Sequence, residues 1–367
     1  MEESFSGGKP VSRADLKGLG SPARYQKVDP DNFYKLLVDF PTQLRQAVEI
    51  AQRFEWNKKG IRPANIILAG MGGSAIGGDL ARAFLSQEMD IPFHVIRHYT
   101  LPAFAGPESF VFASSYSGNT EETLAAFEAA RKKQAEIVCI TTGGKLAFKA
   151  SGLPIITIPS GYPPRAALGF SFVPILLVLG KAGLIRDFSE EILSLADFLA
   201  EEIRRWEREV SPGKNEAKRL AAALFGKVPL VYAGADLLEP VAVRWKGQIC
   251  ENAKQLAFAN VFPEFNHNEL VGFGVLKHLA GRLAAVFLQD KNDHPRVAAR
   301  MKIVEDILKK KKIPVIMAAS KGESVLERMF YTILFGDFAS YYLAILSGVN
   351  PKPVAVIDYL KGRLEKV

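Results

Sequence analysis

Short apolar runs separated by polar, helix-spaced stretches recur along this 367-residue chain. Ile66–Ala69, Phe93–Ile96, Phe110–Ala113, Glu136–Ile140 and Pro154–Ile158 read as strands that are mostly apolar along their length rather than strictly alternating. Helical spacing fills Phe33–Phe54, Ala75–Leu85 and Glu121–Lys133. Continuously apolar strands between helices predict a parallel sheet covered on both faces. From Ser189 to Phe225 the pattern is helical and charged, broken at Ser211-Pro212-Gly213 as a connector would be. The alternation then restarts, with strands at Val228–Ala233, Leu283–Leu288 and Ile313–Met317 and helices at Leu237–Ala257, Pro295–Lys310 and Glu323–Leu346.

The two halves resemble each other. Ile66-Ile-Leu-Ala-Gly70 matches Leu230-Val-Tyr-Ala-Gly234 in kind, and Val111-Phe112 with its downstream helix and strand matches Val286-Phe287 with its own. The expected fold class is α/β: two domains, each a mostly parallel sheet flanked by helices in three layers. The expected organisation is a flexible arm over 1–28, a first domain over 29–186, a helical connector over 187–226, a second domain over 227–350 and a tail over 351–367.

Composition narrows the class of partner. Apolar residues make up 48% of the chain and charged ones 23%, which excludes a disordered or fibrous protein. The net charge of +8 suits an anionic ligand, but no nucleic-acid-binding motif accompanies it. Cys139 and Cys250 form no CxxC and fit a reducing cytoplasm. Met1-Glu-Glu-Ser4 lacks the basic and apolar regions of a signal peptide. The longest uncharged apolar stretch, Ala166–Gly180, contains Pro174 and is too short to span a bilayer. A soluble intracellular protein, bound to neither nucleic acid nor membrane, is expected.

Candidate chemistry concentrates in two turns. Ser114-Ser-Tyr-Ser-Gly-Asn-Thr120 joins a strand to a helix with four serine and threonine hydroxyls and a glycine. Capping a helix needs one hydroxyl. Four of them, beside unpaired helix N–H groups and the positive end of the helix dipole, make a cradle for an anion. Gly70-Met-Gly-Gly-Ser-Ala-Ile-Gly-Gly78 likewise follows a strand and opens a helix, and Gly70-x-Gly72-x-x-Ala75 fits a dinucleotide-binding fingerprint. A dinucleotide site also wants an acidic residue ending the next strand, whereas here Ile96-Arg97-His98-Tyr99 follows and Asp90 precedes. Both turns at the carboxyl edge of one sheet favour a single phosphate held by hydroxyls. In the second half the corresponding turn, Asp290–Pro295, carries charges instead. His94 and His98 lie four apart on a strand-like run, about 13 Å from each other, too far to share a metal ion.

Gly-Met-Gly-Gly-Ser followed by Ser-Tyr-Ser-Gly-Asn-Thr resembles the sugar-isomerase (SIS) fold. From about residue 31 the chain resembles the bifunctional phosphoglucose/phosphomannose isomerases. Tyr162-Pro-Pro-Arg165, Glu251-Asn-Ala-Lys254 with His267-Asn-Glu269, and Asp358-Tyr-Leu-Lys361 carry the narrower likeness. The resemblance implies that Gly73, Ser74, Ser115, Ser117 and Thr120 hold a sugar phosphate. It implies Arg165 stabilising an enediolate, Glu251 moving a proton between C1 and C2, and Lys361 near the ring oxygen. His267 would assist ring opening from the neighbouring subunit of a homodimer. Hexose 6-phosphate would be the substrate, isomerised without cofactor or metal. A threonine near the C-terminus is associated in that family with tolerance of the C2 epimer, and no threonine follows Thr332 here.

Without the resemblance these residues say less. Glu251 lies roughly 200° around its helix from Ile249, away from a Trp245/Ile249/Leu256 stripe, and reads as a surface glutamate beside Lys254. His267 sits in a polar, irregular stretch after Pro263, where a core role is unnatural. Arg165 follows two prolines at the mouth of an apolar helix, and Lys361 reads as a tail lysine. A sugar-phosphate sensor would keep the two turns and dispense with Glu251 and His267; a nicotinamide enzyme would use the Gly70 turn. The helix from Glu323 is aromatic on several sides, as a core helix that also meets a partner subunit would be.

Overall fold

A computed structural model describes residues 18–364 apart from 57, 59, 61 and 276. Within it lie two parallel sheets. The first comprises β1 (Asn65–Ala69), β2 (Phe93–Ile96), β3 (Ser109–Ser114), β4 (Glu136–Thr141) and β5 (Ile155–Thr157), in the order β2-β1-β3-β4-β5. The second comprises β6 (Val228–Gly234), β7 (Phe258–Phe262), β8 (Leu283–Gln289) and β9 (Val315–Ala319), in the order β7-β6-β8-β9. Every neighbouring pair is parallel. Each sheet thus starts in its interior, steps once to one side, and then grows to the other. The matching order bears out the duplication read from Ile66–Gly70 and Leu230–Gly234.

The chain divides into two compact units. One holds the first sheet, residues 39–200 with 324–327; the other holds the second sheet, residues 18–38, 201–323 and 328–364. β1 and β3 are buried at every position, which is why they show no alternation. Ile67, Val111, Ala113, Ile137 and Cys139 pack with Phe127 and Leu146 into one core. Tyr232, Phe262, Phe265, Phe287 and Met301 anchor the other.

Several elements depart from expectation. The run 33–54 is two helices, Phe33–Val38 and Phe40–Arg53, because Pro41 belongs in a first turn where its missing N–H costs nothing. The helix expected over 237–257 spans Glu239–Ala253 and stops at Lys254, whose φ of 53° is left-handed. Leu256, expected on its buried stripe, lies beyond the end and is 67% exposed. β7 follows, a short edge strand that no apolar run announces. Residues 1–17 of the expected arm lie outside the described residues; 22–28 form a helix with Tyr25 buried. Its Arg24 guanidinium donates to the carbonyls of Ile345 (2.8 Å) and Leu346 (2.7 Å). The helix Val325–Ser347 has the length and apolarity of a membrane span, but its apolar 18-residue stretch is entirely buried inside the protein, as in a core helix.

Candidate active site

β1 pairs directly with β3, Ala69 opposite Ala113, so the chain leaves both strands side by side at the carboxyl edge. Because β2 lies on one flank and β3 on the other, this is the crevice where the strand order reverses. The helices Gly72–Leu85 and Glu121–Lys132 start there, and neither is capped by a side chain at its N-cap, Met71 or Thr120. Their first N–H groups face the edge unclaimed by a cap.

The hydroxyls are arranged as donors. Ser74 Oγ accepts the Tyr116 N–H (3.2 Å), and Ser117 Oγ accepts the Asn119 N–H (3.2 Å). Ser115 Oγ donates to Thr120 Oγ1 (2.9 Å). With these oxygens accepting from the protein, the protons of Ser74, Ser117 and Thr120 are left for an incoming anion. Ser74 and Ser115 are buried, Thr120 is half-buried and Ser117 is exposed.

Arg165 is brought to the same place. A Cβ on Gly73 would stand 2.3 Å from the Pro164 carbonyl oxygen and 3.1 Å from the Arg165 nitrogen, so only glycine admits this contact. Gly77, a helical turn further along, allows a similar approach: a Cβ there would meet Ser171 Oγ at 2.6 Å, and that hydroxyl donates to the Gly73 carbonyl (3.1 Å). Arg165 itself is buried. A third turn braces the hydroxyl turn from behind. Thr142 N–H donates to the Tyr116 carbonyl (3.0 Å), Leu146 N–H to the Gly118 carbonyl (2.8 Å) and Lys145 N–H to Asn119 Oδ1 (3.1 Å). A Cβ on Gly144 would meet the Ser117 carbonyl oxygen at 2.4 Å. Neither Tyr116 nor the Gly143-Gly144 turn stands out as a site element in the sequence; the double glycine after an apolar strand is the available signal.

Glu251, His267 and Lys361 belong to the other unit, on three separate elements. Glu251 is half-buried on the last turn of Glu239–Ala253. Lys254 Nζ donates to the carbonyls of Glu251 (2.7 Å) and Pro351 (3.1 Å), tying that helix end to the segment leading to Lys361. His267 is exposed at the end of a short 3-10 turn whose Phe265 is buried against Tyr232 (ring centroids 4.4 Å apart). Just beyond, the Glu269 carboxylate accepts from the Tyr232 hydroxyl and from Asn260 Nδ2 (2.7 Å). Lys361 is exposed on the helix Ala355–Leu364, in which no residue is buried.

The chain is 45% identical over 336 residues to a bifunctional phosphoglucose/phosphomannose isomerase from Caldicellulosiruptor bescii, covering 91% of this chain and 99% of that protein. It belongs to the bifunctional phosphoglucose/phosphomannose isomerase family. A relative of the same name from Aquifex aeolicus is 36% identical, covering 86% of this chain and 95% of that protein. A family profile described as the bacterial phospho-glucose isomerase C-terminal SIS domain matches residues 213–364. The fold is similar to the C-terminal domain of glucosamine-fructose-6-phosphate aminotransferase from Francisella tularensis. There the TM-score is 0.69 at 13% identity, over 87% of this chain and 97% of that one.

In this isomerase-family chain the second sheet repeats the crevice and fills it with its own carboxylates. At the turn after β8, Asp290 accepts from Arg328 Nε (2.9 Å), Ser320 Oγ (2.7 Å) and the Asn292 N–H (2.9 Å). Arg328 and Asp290 are both buried. A fixed internal anion thus stands where the first sheet presents hydroxyls. Asp293 lies beside it, and burial, with Asp290 and Asp236 adding repulsion, pushes its carboxyl up to about 6.

Proposed function

We propose that this chain interconverts glucose 6-phosphate, and mannose 6-phosphate, with fructose 6-phosphate through a cis-enediol. The observation that carries the reading is the pair of turns at the β1/β3 edge, with three hydroxyl protons left over. They occur in a chain aligned over nearly its whole length with proteins named for this isomerisation. The phosphate dianion would bind the hydroxyls of Ser74, Ser117 and Thr120, the Gly73 backbone and the two helix N-termini, with Ser115 holding the Thr120 hydroxyl toward it. That remote binding fixes the sugar for reaction.

The reaction is redox-neutral within the sugar. Glu251 takes the C2 proton of the open-chain aldose, the C2 electron pair forms the C1–C2 double bond, and charge builds on O1, where Arg165 stabilises it. Transfer of the O2 proton to O1 and return of the carbon-bound proton to C1 gives the ketose, with no external oxidant or cofactor. His267 of a second subunit would assist ring opening, with Lys361 near the ring oxygen. The site would then be shared in a homodimer, and exposed apolar side chains near these residues, Val271 and Val356, favour such an interface. The enzyme would work in the cytoplasm, in glycolysis and gluconeogenesis; its two cysteines form no disulfide.

A coupled assay with fructose 6-phosphate, with and without chelator, tests the reading, with equal turnover expected in both. Glu251→Gln should lower kcat by roughly 10²–10⁴-fold while fructose 6-phosphate still raises its Tm. Retained turnover would remove Glu251 from the proton-transfer role. Binding without any wild-type turnover would instead mark a non-catalytic sugar-phosphate-binding regulator.

A further inference from the structure

Tyr116 touches every segment of the phosphate edge. Its N–H donates to Ser74 Oγ in the glycine turn, and its carbonyl accepts from Thr142 in the turn after β4. Its phenol donates to the Pro159 carbonyl (2.9 Å) and accepts the Tyr162 N–H (2.9 Å). From Tyr162 the chain runs through Pro163 and Pro164 to Arg165. Two prolines in a row fix two φ angles, so a tether at Tyr162 carries through to the guanidinium-bearing residue with little slack. Tyr162 is held further by its ring, edge-on to Phe170 at 5.5 Å, and Pro164 by its contact with Gly73.

We propose that Tyr116 is a positioning residue that sets Arg165 relative to the phosphate-binding hydroxyls. The inference rests on the isomerase reading above. A phosphate gripped by Ser117 and Thr120 places the sugar carbons at a fixed distance from that turn. Arg165 meets the oxygen on which charge grows only if its loop keeps register with the same turn. The phenol's two hydrogen bonds, to Pro159 and from Tyr162, tie the Tyr116 side chain to that loop.

The test is a steady-state comparison of wild type, Tyr116→Phe, Arg165→Ala and the double variant with fructose 6-phosphate. Tyr116→Phe should lower kcat about 10-fold with KM changed less than about 2-fold, because the main-chain contacts to Ser74 and Thr142 survive. In the Arg165→Ala background the same change should cost less than about 2-fold, since the residue it positions is gone. Pro163→Gly, which loosens the link without touching Tyr116, should reproduce the kcat loss and keeps the test open if Tyr116→Phe does not fold. Equal losses in both backgrounds, a loss confined to KM, or an unchanged kcat in Pro163→Gly would each overturn the proposal. A wild type without turnover would overturn the isomerase reading itself, a result distinct from all of these.

Discussion

At Gly73 the question is what a single methyl group would displace. The nearest atoms to a Cβ there are the Pro164 carbonyl oxygen and carbon, at 2.3 and 2.6 Å, which are backbone and cannot swing aside. Gly73→Ala should therefore cost about 1–3 kcal/mol of stability and, by moving the Arg165 loop, more than about 10-fold in kcat/KM. Gly106→Ala, where a Cβ meets nothing within 4 Å, should leave both unchanged. Thermal melts and the coupled assay distinguish the two, and equal behaviour would show that the loop adapts. The glycines of 70–78 were legible as a strand-to-helix junction, although the helix already begins at Gly72 rather than Ala75; the partners of Gly73 and Gly77 lie some ninety residues on, at Pro164 and Ser171, beyond the reach of local pattern. Asp293 makes a pH prediction. Its raised carboxyl favours the protonated form in the folded state, so its contribution to stability is complete below about pH 4 and is lost as pH rises through about 6. Asp293→Asn, which mimics the protonated form, should gain in Tm over wild type by a few degrees more at pH 7.5 than at pH 4.5. A Tm difference independent of pH would contradict this sign.

The helix Glu239–Ala253 shows how a polar face can be an interior one. Arg244, Gln248 and Asn252, spaced four apart on one stripe, are all buried. Arg244 Nη2 pairs with Asp337 Oδ2 (2.5 Å), Gln248 Nε2 donates to Asp337 Oδ1 (2.9 Å) and Asn252 Nδ2 donates to Ser340 Oγ (2.9 Å). Alongside them the Trp245 indole donates to the Thr332 carbonyl (2.9 Å) and fills the space left by Gly336, where a Cβ would meet its ring at 2.2 Å. This seam fixes the helix whose last turn carries Glu251. Asp337→Asn leaves the buried Arg244 cation without the carboxylate's charge. It should cost about 3 kcal/mol, read from denaturant unfolding, with a fall in kcat that follows the shift of Glu251. A loss under about 1 kcal/mol would mean that the seam is not what holds the helix. Sequence pattern placed this helix and its Trp245 and Ile249 correctly, yet nothing in the pattern marks its polar stripe as buried, because periodicity separates polar from apolar and not wet from dry. β7 and the helix Ala355–Leu364 escaped for a related reason. One is a half-exposed edge strand and the other has no buried face, so neither writes a core pattern into the sequence.

Across the molecule, the two sheets share a strand order but differ in what they carry at the corresponding edge. The first sheet leaves hydroxyls at its edge; the second fills its own corresponding crevice with Asp290 and Arg328, and Glu251 and His267 lie on elements flanking its strands. The repeat itself was readable from Ile66–Gly70 and Leu230–Gly234, and the hydroxyl-rich turn stands out by its composition, whereas Arg165, Glu251, His267 and Lys361 stand out only by family resemblance. A shared homodimer site makes a quantitative prediction about the last three. If His267 serves the neighbouring subunit, Glu251→Gln and His267→Ala chains, each nearly inactive alone, complement each other when unfolded together and reassembled. A mixed dimer then has one site lacking both groups and one site with both intact. Random pairing makes half the dimers mixed, so the mixture should recover about a quarter of wild-type activity. If both groups serve their own subunit, every site in every dimer lacks one of them and nothing is recovered. The ratio of recovered to wild-type turnover, measured on material that sediments as a dimer, decides between the two arrangements.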